Sequence, residues 1–245
     1  MPTSAPTIEN LDAVNTRLDT ASAPEVVQWA VDTFGDGLVL STSFGVQAAV
    51  MLHLVTRVKA NIPVIFIDTG YHFAKTYGFA DALSQRLDLN LKVYSSPQTS
   101  AWFEHNHGRL WETNIDQYDQ ERKVEPMARA LNDLGATATL AGLRRQQTAH
   151  RANMPVVGKQ GDRFKVAPIL SWTTKDVFDY LKKHDLPFHP LHEKGYASIG
   201  DWHSTRPITA GDDERAGRFN GIKEECGLHM PESPAENESR SSSEL

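Results

Sequence analysis

The one cysteine of this chain, Cys226, stands in Lys223-Glu224-Glu225-Cys226-Gly227-Leu228-His229, a polar, glycine-containing stretch near the C-terminus. Such a segment is poor core material. Lys223 and His229 favour a thiolate there, while Glu224 and Glu225 oppose it. A reactive thiol is the reading this supports, with an incidental exposed cysteine as the alternative. A lone thiol cannot close an internal disulfide, build a cysteine-based zinc site or supply the ligands of an iron–sulfur cluster from one chain.

Three further segments carry residue types suited to binding an anionic nucleotide. Ser41-Thr42-Ser43-Phe44-Gly45 combines small hydroxyl residues with a glycine, so that backbone N–H groups can converge on an anion at a helix start. The same residues suit a plain helix cap equally well. The loop lacks the lysine of a Walker A motif and the three glycines of a dinucleotide fingerprint. Asp68-Thr69-Gly70 follows the apolar run Val64-Ile65-Phe66-Ile67. An acid there can accept from a ribose or an exocyclic amine, or simply close an Asx turn. Gly142 to Arg151 holds Arg144, Arg145 and Arg151, whose forked donors match phosphate or sulfate oxygens. Solvated surface arginines are the other reading. Arg122 and Lys123, just before Glu125-Pro126, add cations or else open a solvated helix.

Elements that would position these segments follow from the hydrophobic periodicity. Short Val/Ile/Leu-rich runs at Gly37–Ser41, Pro63–Ile67, Leu91–Tyr94, Thr137–Ala141 and Phe164–Ala167 read as strands. Helical periods occupy Val46–Val58, Phe73–Leu87, Glu125–Leu134 and Thr173–His184, the last opened by a capping-box pattern at Thr173 and Asp176. The β-α-β-α alternation predicts an α/β fold: a mostly parallel sheet with flanking helices. Ligands of such sheets bind at the carboxyl ends of the strands, where all three segments fall. The expected organisation is a flexible N-terminal tail over 1–23, a nucleotide-binding α/β domain over 24–200, a mobile arm over 201–230 carrying Cys226, and a disordered acidic tail over 231–245.

Composition sets outer bounds. With 245 residues, 40% of them hydrophobic, the chain can bury a sizeable core. Its net charge of −6 disfavours coating nucleic acid, so any anion site must be a local basic patch. No run approaches the roughly 20 apolar residues of a membrane span, and the first ten lack the pattern of a signal peptide, so a cytoplasmic location is expected. The ten histidines, including His105, His107, His189, His192 and His203, match no zinc spacing, and no metal site is expected.

The three loops in this order, followed by Glu225-Cys226-Gly227-Leu228-His229, resemble the assimilatory phosphoadenosine phosphosulfate (PAPS) reductases over about Asp36 to His229. Ser41–Gly45 resembles the family's modified phosphate loop (PP-loop), Asp68-Thr69-Gly70 its Asp-Thr-Gly turn and Gly142–Arg151 its arginine loop. The resemblance implies the fold of the adenine-nucleotide α-hydrolase group. It implies that Cys226, assisted by Lys223 and His229, attacks PAPS and releases adenosine 3′,5′-bisphosphate. The resulting S-sulfonated cysteine would be resolved by thioredoxin or glutaredoxin, with release of sulfite. Ser41, Thr42, Ser43, Phe44, Gly45, Asp68, Thr69, Gly70, Lys123, Arg144, Arg145 and Arg151 are the substrate-binding residues so implied, and a homodimer the implied assembly.

Related reductases that use adenosine 5′-phosphosulfate (APS) carry a four-iron cluster. Aligning their ligand motifs on this chain places Tyr118, Asp119, Asp201 and Ser204 at the four cysteine positions. No bound cofactor and no iron–sulfur cluster are therefore expected. Adenylating proteins on the same scaffold need a Ser-Gly-Gly-x-Asp-Ser loop, whereas position 44 is Phe and no acid follows within the loop. A nucleotide-binding module using Cys226 only as a switch would bind without turnover.

Overall fold

The computed structural model describes residues 6–209 and 215–219. Lys223, Cys226, His229 and the expected tail over 231–245 lie outside the described residues.

The chain runs α1 (Leu11–Leu18), α2 (Ala23–Phe34), β1 (Leu38–Thr42), α3 (Ala48–Thr56), β2 (Pro63–Asp68), α4 (Ala74–Leu87) and β3 (Asn90–Ser95). Three short helices follow, α5 (Ser100–His107), α6 (Leu110–Thr113) and α7 (Ile115–Asp119). A π turn over Gln120–Val124 then leads into α8 (Glu125–Asp133). β4 (Ala138–Leu140), β5 (Val157–Gln160), β6 (Arg163–Val166) and α9 (Thr174–Lys183) complete the body. The six strands lie in the order β3-β2-β1-β4-β6-β5, all parallel except β5, which pairs antiparallel with β6. Among the described residues, no helix is long and apolar enough to cross a membrane.

The alternation of side chains along each strand divides the core in two. Leu38 and Leu40 of β1, Val64 and Phe66 of β2 and Phe164 and Val166 of β6 join α2, α3, α4 and α9 in the larger cluster. Val39, Ile65 and Ile67 face the opposite way and pack against Ala130 of α8. β2 and β4 flank β1 on opposite sides: the chain runs outward from β1 through β2 to β3 on one side and then crosses to β4 on the other. The crevice at the carboxyl ends of β1 and β4 is where open α/β sheets bind ligands.

Two expectations are corrected. Residues 11–18, assigned above to a flexible tail, form a helix capped by the Asn10 side chain, which accepts from the Ala13 N–H at 2.9 Å. Leu11, Val14 and Leu18 recur at helical spacing and pack on the larger cluster. Asn15 exchanges two hydrogen bonds with the backbone of Val157, at 2.9 and 2.8 Å, and so holds the edge strand β5. The described part of the presumed arm is also built into the body. Asp201 is buried, its backbone bridges to His72, and Ile199 joins a cluster with Val46 and Leu191.

Candidate active site

A cavity of about 840 Å³ opens at the carboxyl ends of β1, β2 and β4, a size suited to a nucleotide. Ser41, Thr42, Ser43 and Gly45 line it. The plain-cap reading of this loop fails, because the N-cap of α3 is Gln47 and makes no side-chain cap hydrogen bond. Phe44 does not line the cavity. It adopts a positive φ of 46°, which turns its ring into the core, edge-on to Phe66 at 5.1 Å. The Phe44 N–H donates to Thr42 Oγ1 at 3.1 Å and tightens the turn.

In the second segment, Asp68 closes the Asx turn, accepting from the Gly70 N–H at 2.8 Å and from the Tyr77 hydroxyl at 2.7 Å. Gly70 sits at φ +74°, and a Cβ there would stand 2.3 Å from Ser100 Oγ. The residue of this turn that reaches the cavity is Thr69, whose hydroxyl donates to Asp201 Oδ1 at 2.5 Å.

The three arginines of the third segment diverge. Arg151 is buried in the cavity wall and donates to Gln147 Oε1. Arg144 is buried outside that wall and reaches Thr174 Oγ1 at the start of α9, at 3.4 Å. Arg145 points to the N-terminal region, pairing with Asp19 at 2.5 Å and with the Met154 carbonyl at 3.3 Å. Arg144 and Arg145 thus brace the loop, and the cavity receives the third guanidinium.

Lys123 lies in the cavity wall, delivered by the π turn; such wide turns recur at functional sites. Its ammonium is held by Asp119 Oδ1 at 2.7 Å and Asp201 Oδ2 at 3.0 Å. Asp201 Oδ2 also accepts from the Tyr118 hydroxyl at 3.0 Å, and that hydroxyl contacts His203 Nε2 at 3.0 Å. Because Tyr118 donates to Asp201, His203 must donate to Tyr118. Burial opposes charge on Asp201, yet Lys123, His72 and Thr69 together hold its carboxyl well below the ordinary carboxylate range. Burial, with Asp201 beside it, pushes the Tyr118 phenol far up, and burial brings the His203 imidazole down to about 4.

Tyr118, Asp119, Asp201 and Ser204 therefore meet in one place. Ser204 Oγ closes the group by donating to the Asp201 carbonyl at 3.4 Å. An iron–sulfur cluster does not fit this set, which offers oxygen donors already committed to one another and to Lys123. Among the described residues no group of three or more His, Cys, Asp and Glu side chains is arranged to hold a metal ion.

Sequence reasoning passed over Arg218. This side chain is 7% exposed and lines the cavity, packed against the backbone of Gly200 and over the Phe219 ring at 4.8 Å. None of its N–H groups meets an acceptor among the described residues, and Nε is fully buried. A buried guanidinium left in that condition is costly unless an anion joins it. Arg215, Arg163 and Lys165 line the same cavity. The signal was present in Arg215-Ala216-Gly217-Arg218, whose two cations lie three apart just before the cysteine segment.

A six-stranded, mostly parallel sheet with flanking helices and a cationic cavity at its switch point defines a nucleotide-binding α/β protein of the PP-loop type. Residues 37–207 match the phosphoadenosine phosphosulfate reductase domain, and the chain belongs to that family. It is 56% identical over 241 residues to a phosphoadenosine 5′-phosphosulfate reductase of Synechocystis sp., covering 96% of this chain and 97% of the relative. A Xanthomonas campestris protein of the same name is 52% identical, with 92% and 95% covered. The crystal structure of PAPS reductase from Candida auris, a phosphate complex, superposes with a TM-score of 0.75 at 34% identity, covering 83% of this chain and 100% of that one. FMN adenylyltransferase of Candida glabrata shares the fold alone, with a TM-score of 0.58 at 13% identity, covering 98% of this chain and 86% of that one.

Proposed function

We propose that this oxidoreductase reduces PAPS to sulfite and adenosine 3′,5′-bisphosphate through an S-sulfonated Cys226 that reduced thioredoxin, or a glutaredoxin, resolves. The observation that carries the reading is the placement of Arg218, a cavity-facing guanidinium with no protein acceptor among the described residues, eight positions before the lone thiol.

In the first step the Cys226 thiolate attacks the sulfonate sulfur. A bond forms between Sγ and that sulfur, the sulfur–oxygen bond to the nucleotide breaks, and adenosine 3′,5′-bisphosphate departs with the electron pair. Thiolate, sulfonate and leaving group are all anionic, so cations must offset their repulsion before the sulfurs can approach. Arg151 and Arg218, which line the cavity, would supply those cations, together with the backbone N–H groups of the Ser41–Gly45 loop, of which Ser41, Thr42, Ser43 and Gly45 line the same cavity. Lys123 contributes less net charge than its type suggests, because Asp119 and Asp201 share it. Lys223 and His229 would favour the thiolate.

In the second step a thiolate of the dithiol protein attacks Cys226 Sγ. Sulfite leaves with the electrons of the sulfur–sulfur bond and a mixed disulfide forms. The partner's second thiolate then closes its own disulfide and returns Cys226 as thiolate. The dithiol loses two electrons and the sulfonate sulfur gains them. No iron–sulfur cluster takes part in this reading, which is supported by the oxygen-bearing side chains Tyr118, Asp119, Asp201 and Ser204 at the four aligned cysteine positions.

Sulfite release with thioredoxin as reductant tests the proposal. Turnover with PAPS, loss of turnover in Cys226→Ser and retained nucleotide binding in that variant support it. Substantial turnover in Cys226→Ser would overturn the covalent route, and binding without turnover in the unaltered protein would leave a nucleotide-binding module.

A further inference from the structure

A second cavity, about 550 Å³, lies on the outer side of the Asp201–Tyr118–His203 wall. Asp201 lines the substrate cavity and His203 lines this one. Its floor is aromatic and apolar: Trp111, Ile115, Trp202 and Phe219. Trp111 stacks on His203 with centroids 4.3 Å apart and planes within 13°, and Trp202 meets Trp111 edge-on at 6.2 Å. Trp202 is 52% exposed. Arg109, which lines the groove, is paired with Glu112 at 3.4 Å, and among the described residues no other Lys or Arg lines it.

We infer that the Trp111–Trp202 groove is the docking surface for the dithiol protein that reduces the Cys226 adduct. The inference rests on the reading of Cys226 given above. A partner that attacks Cys226 Sγ must press against the chain segment that carries it. That segment begins at Phe219, in the wall of this groove, and Cys226 follows seven residues later. Seven residues span at most about 25 Å when extended, a length of chain short enough for the thiol to be presented to a protein seated on the groove. Arg218, one position earlier, faces the substrate cavity, so the two neighbouring residues mark the two sides of the wall. A partner on the outer side need not enter the polar cavity that holds the nucleotide. Apolar side chains, a paired Arg109–Glu112 and an exposed tryptophan are the composition of a protein interface, where Trp is enriched among the residues that carry binding energy.

The test uses the full chain and Trp202→Ala, a surface position outside the substrate cavity. Each protein is loaded with PAPS, freed of nucleotide and mixed with reduced thioredoxin or with dithiothreitol. The inference predicts that Trp202→Ala slows reduction by thioredoxin at least tenfold and leaves both adduct formation and reduction by dithiothreitol unchanged. Equal thioredoxin rates in the two proteins would overturn it. If the unaltered protein forms no adduct, the function proposed above fails, and calorimetric titration with reduced thioredoxin still decides the docking surface. Binding that Trp202→Ala abolishes supports it, whereas equal binding, or none in the unaltered protein, overturns it. A homodimer that dissociates on Trp202→Ala would assign the groove to a second copy of the chain and likewise overturn it.

Discussion

The guanidinium of Arg218 lies so close to the backbone of Gly200 that a Cβ at position 200 would stand 2.3 Å from both Nη1 and Nη2. Glycine here makes room for a cation, and the cation faces the cavity. Gly200→Ala is therefore expected to displace Arg218 and lower kcat/KM for PAPS at least tenfold, about 1.4 kcal/mol or more of lost stabilisation. Steady-state kinetics with a thermal melt checks this. A melt that shifts while kcat/KM stays unchanged would show that Arg218 does not serve the substrate.

The arginine loop makes a paired prediction. Arg151→Ala should weaken binding of adenosine 3′,5′-bisphosphate, because its side chain reaches the cavity wall. Arg145→Ala should leave that affinity unchanged and cost no more than about 1 kcal/mol of stability, the scale of a partly exposed ion pair such as that with Asp19. Calorimetric binding and urea unfolding separate the two effects. Equal losses of affinity in both variants would contradict the orientation of the loop.

The buried Lys123–Asp201 pair should behave as a stability element. Asp201→Ala takes from Lys123 one of its two described carboxylate partners and removes the acceptor for Tyr118 and Thr69, so a loss of about 3–5 kcal/mol is expected. The folded carboxyl titrates below its unfolded value. Its contribution is thus present in full above about pH 4 and is lost as pH falls below that, through the depressed folded value. Urea unfolding of both proteins across pH 2–7 should show the gap narrowing only at the acid end; a gap independent of pH would contradict the assignment of charge to Asp201.

His203 and His189 give a second pH window. Burial lowers both to about 4, so the unfolded chain takes up protons near pH 6.5 that the folded protein refuses. Stability should fall as pH drops from about 6.5 to 4 and the slope should flatten below that. His203→Gln should reduce the slope by about one proton. An unchanged slope would mean that His203 carries a proton in the folded state.

Much of the fold was legible because its strands are apolar and its helices periodic. β1, β2, β3, β4 and β6 lie within one or two residues of the runs read from the sequence. β5 escaped because Val157-Gly158-Lys159-Gln160 is short, polar and carries a glycine, and its pairing is with β6 and Asn15 rather than with a buried layer. α1 escaped because Ser, Thr and Pro around it masked a three-residue apolar face. The three loops that meet at the cavity were identified by residue type and by their position after strands. The direction of each side chain was not, since it is set by backbone conformation, as in the positive φ of Phe44 and the extended backbone of Arg144. The pairing of Asp201 with Lys123 and Tyr118, and the place of Arg218 against Gly200, were not legible because those partners are distant in sequence.

The most direct test of the account is the intact mass of the reduced protein after mixing with PAPS, and separately with APS, in the absence of any dithiol. The gain of one sulfonate group, mapped to Cys226, is expected with PAPS and not with APS. Folded, fully reduced protein that gains no mass with PAPS would contradict the covalent mechanism.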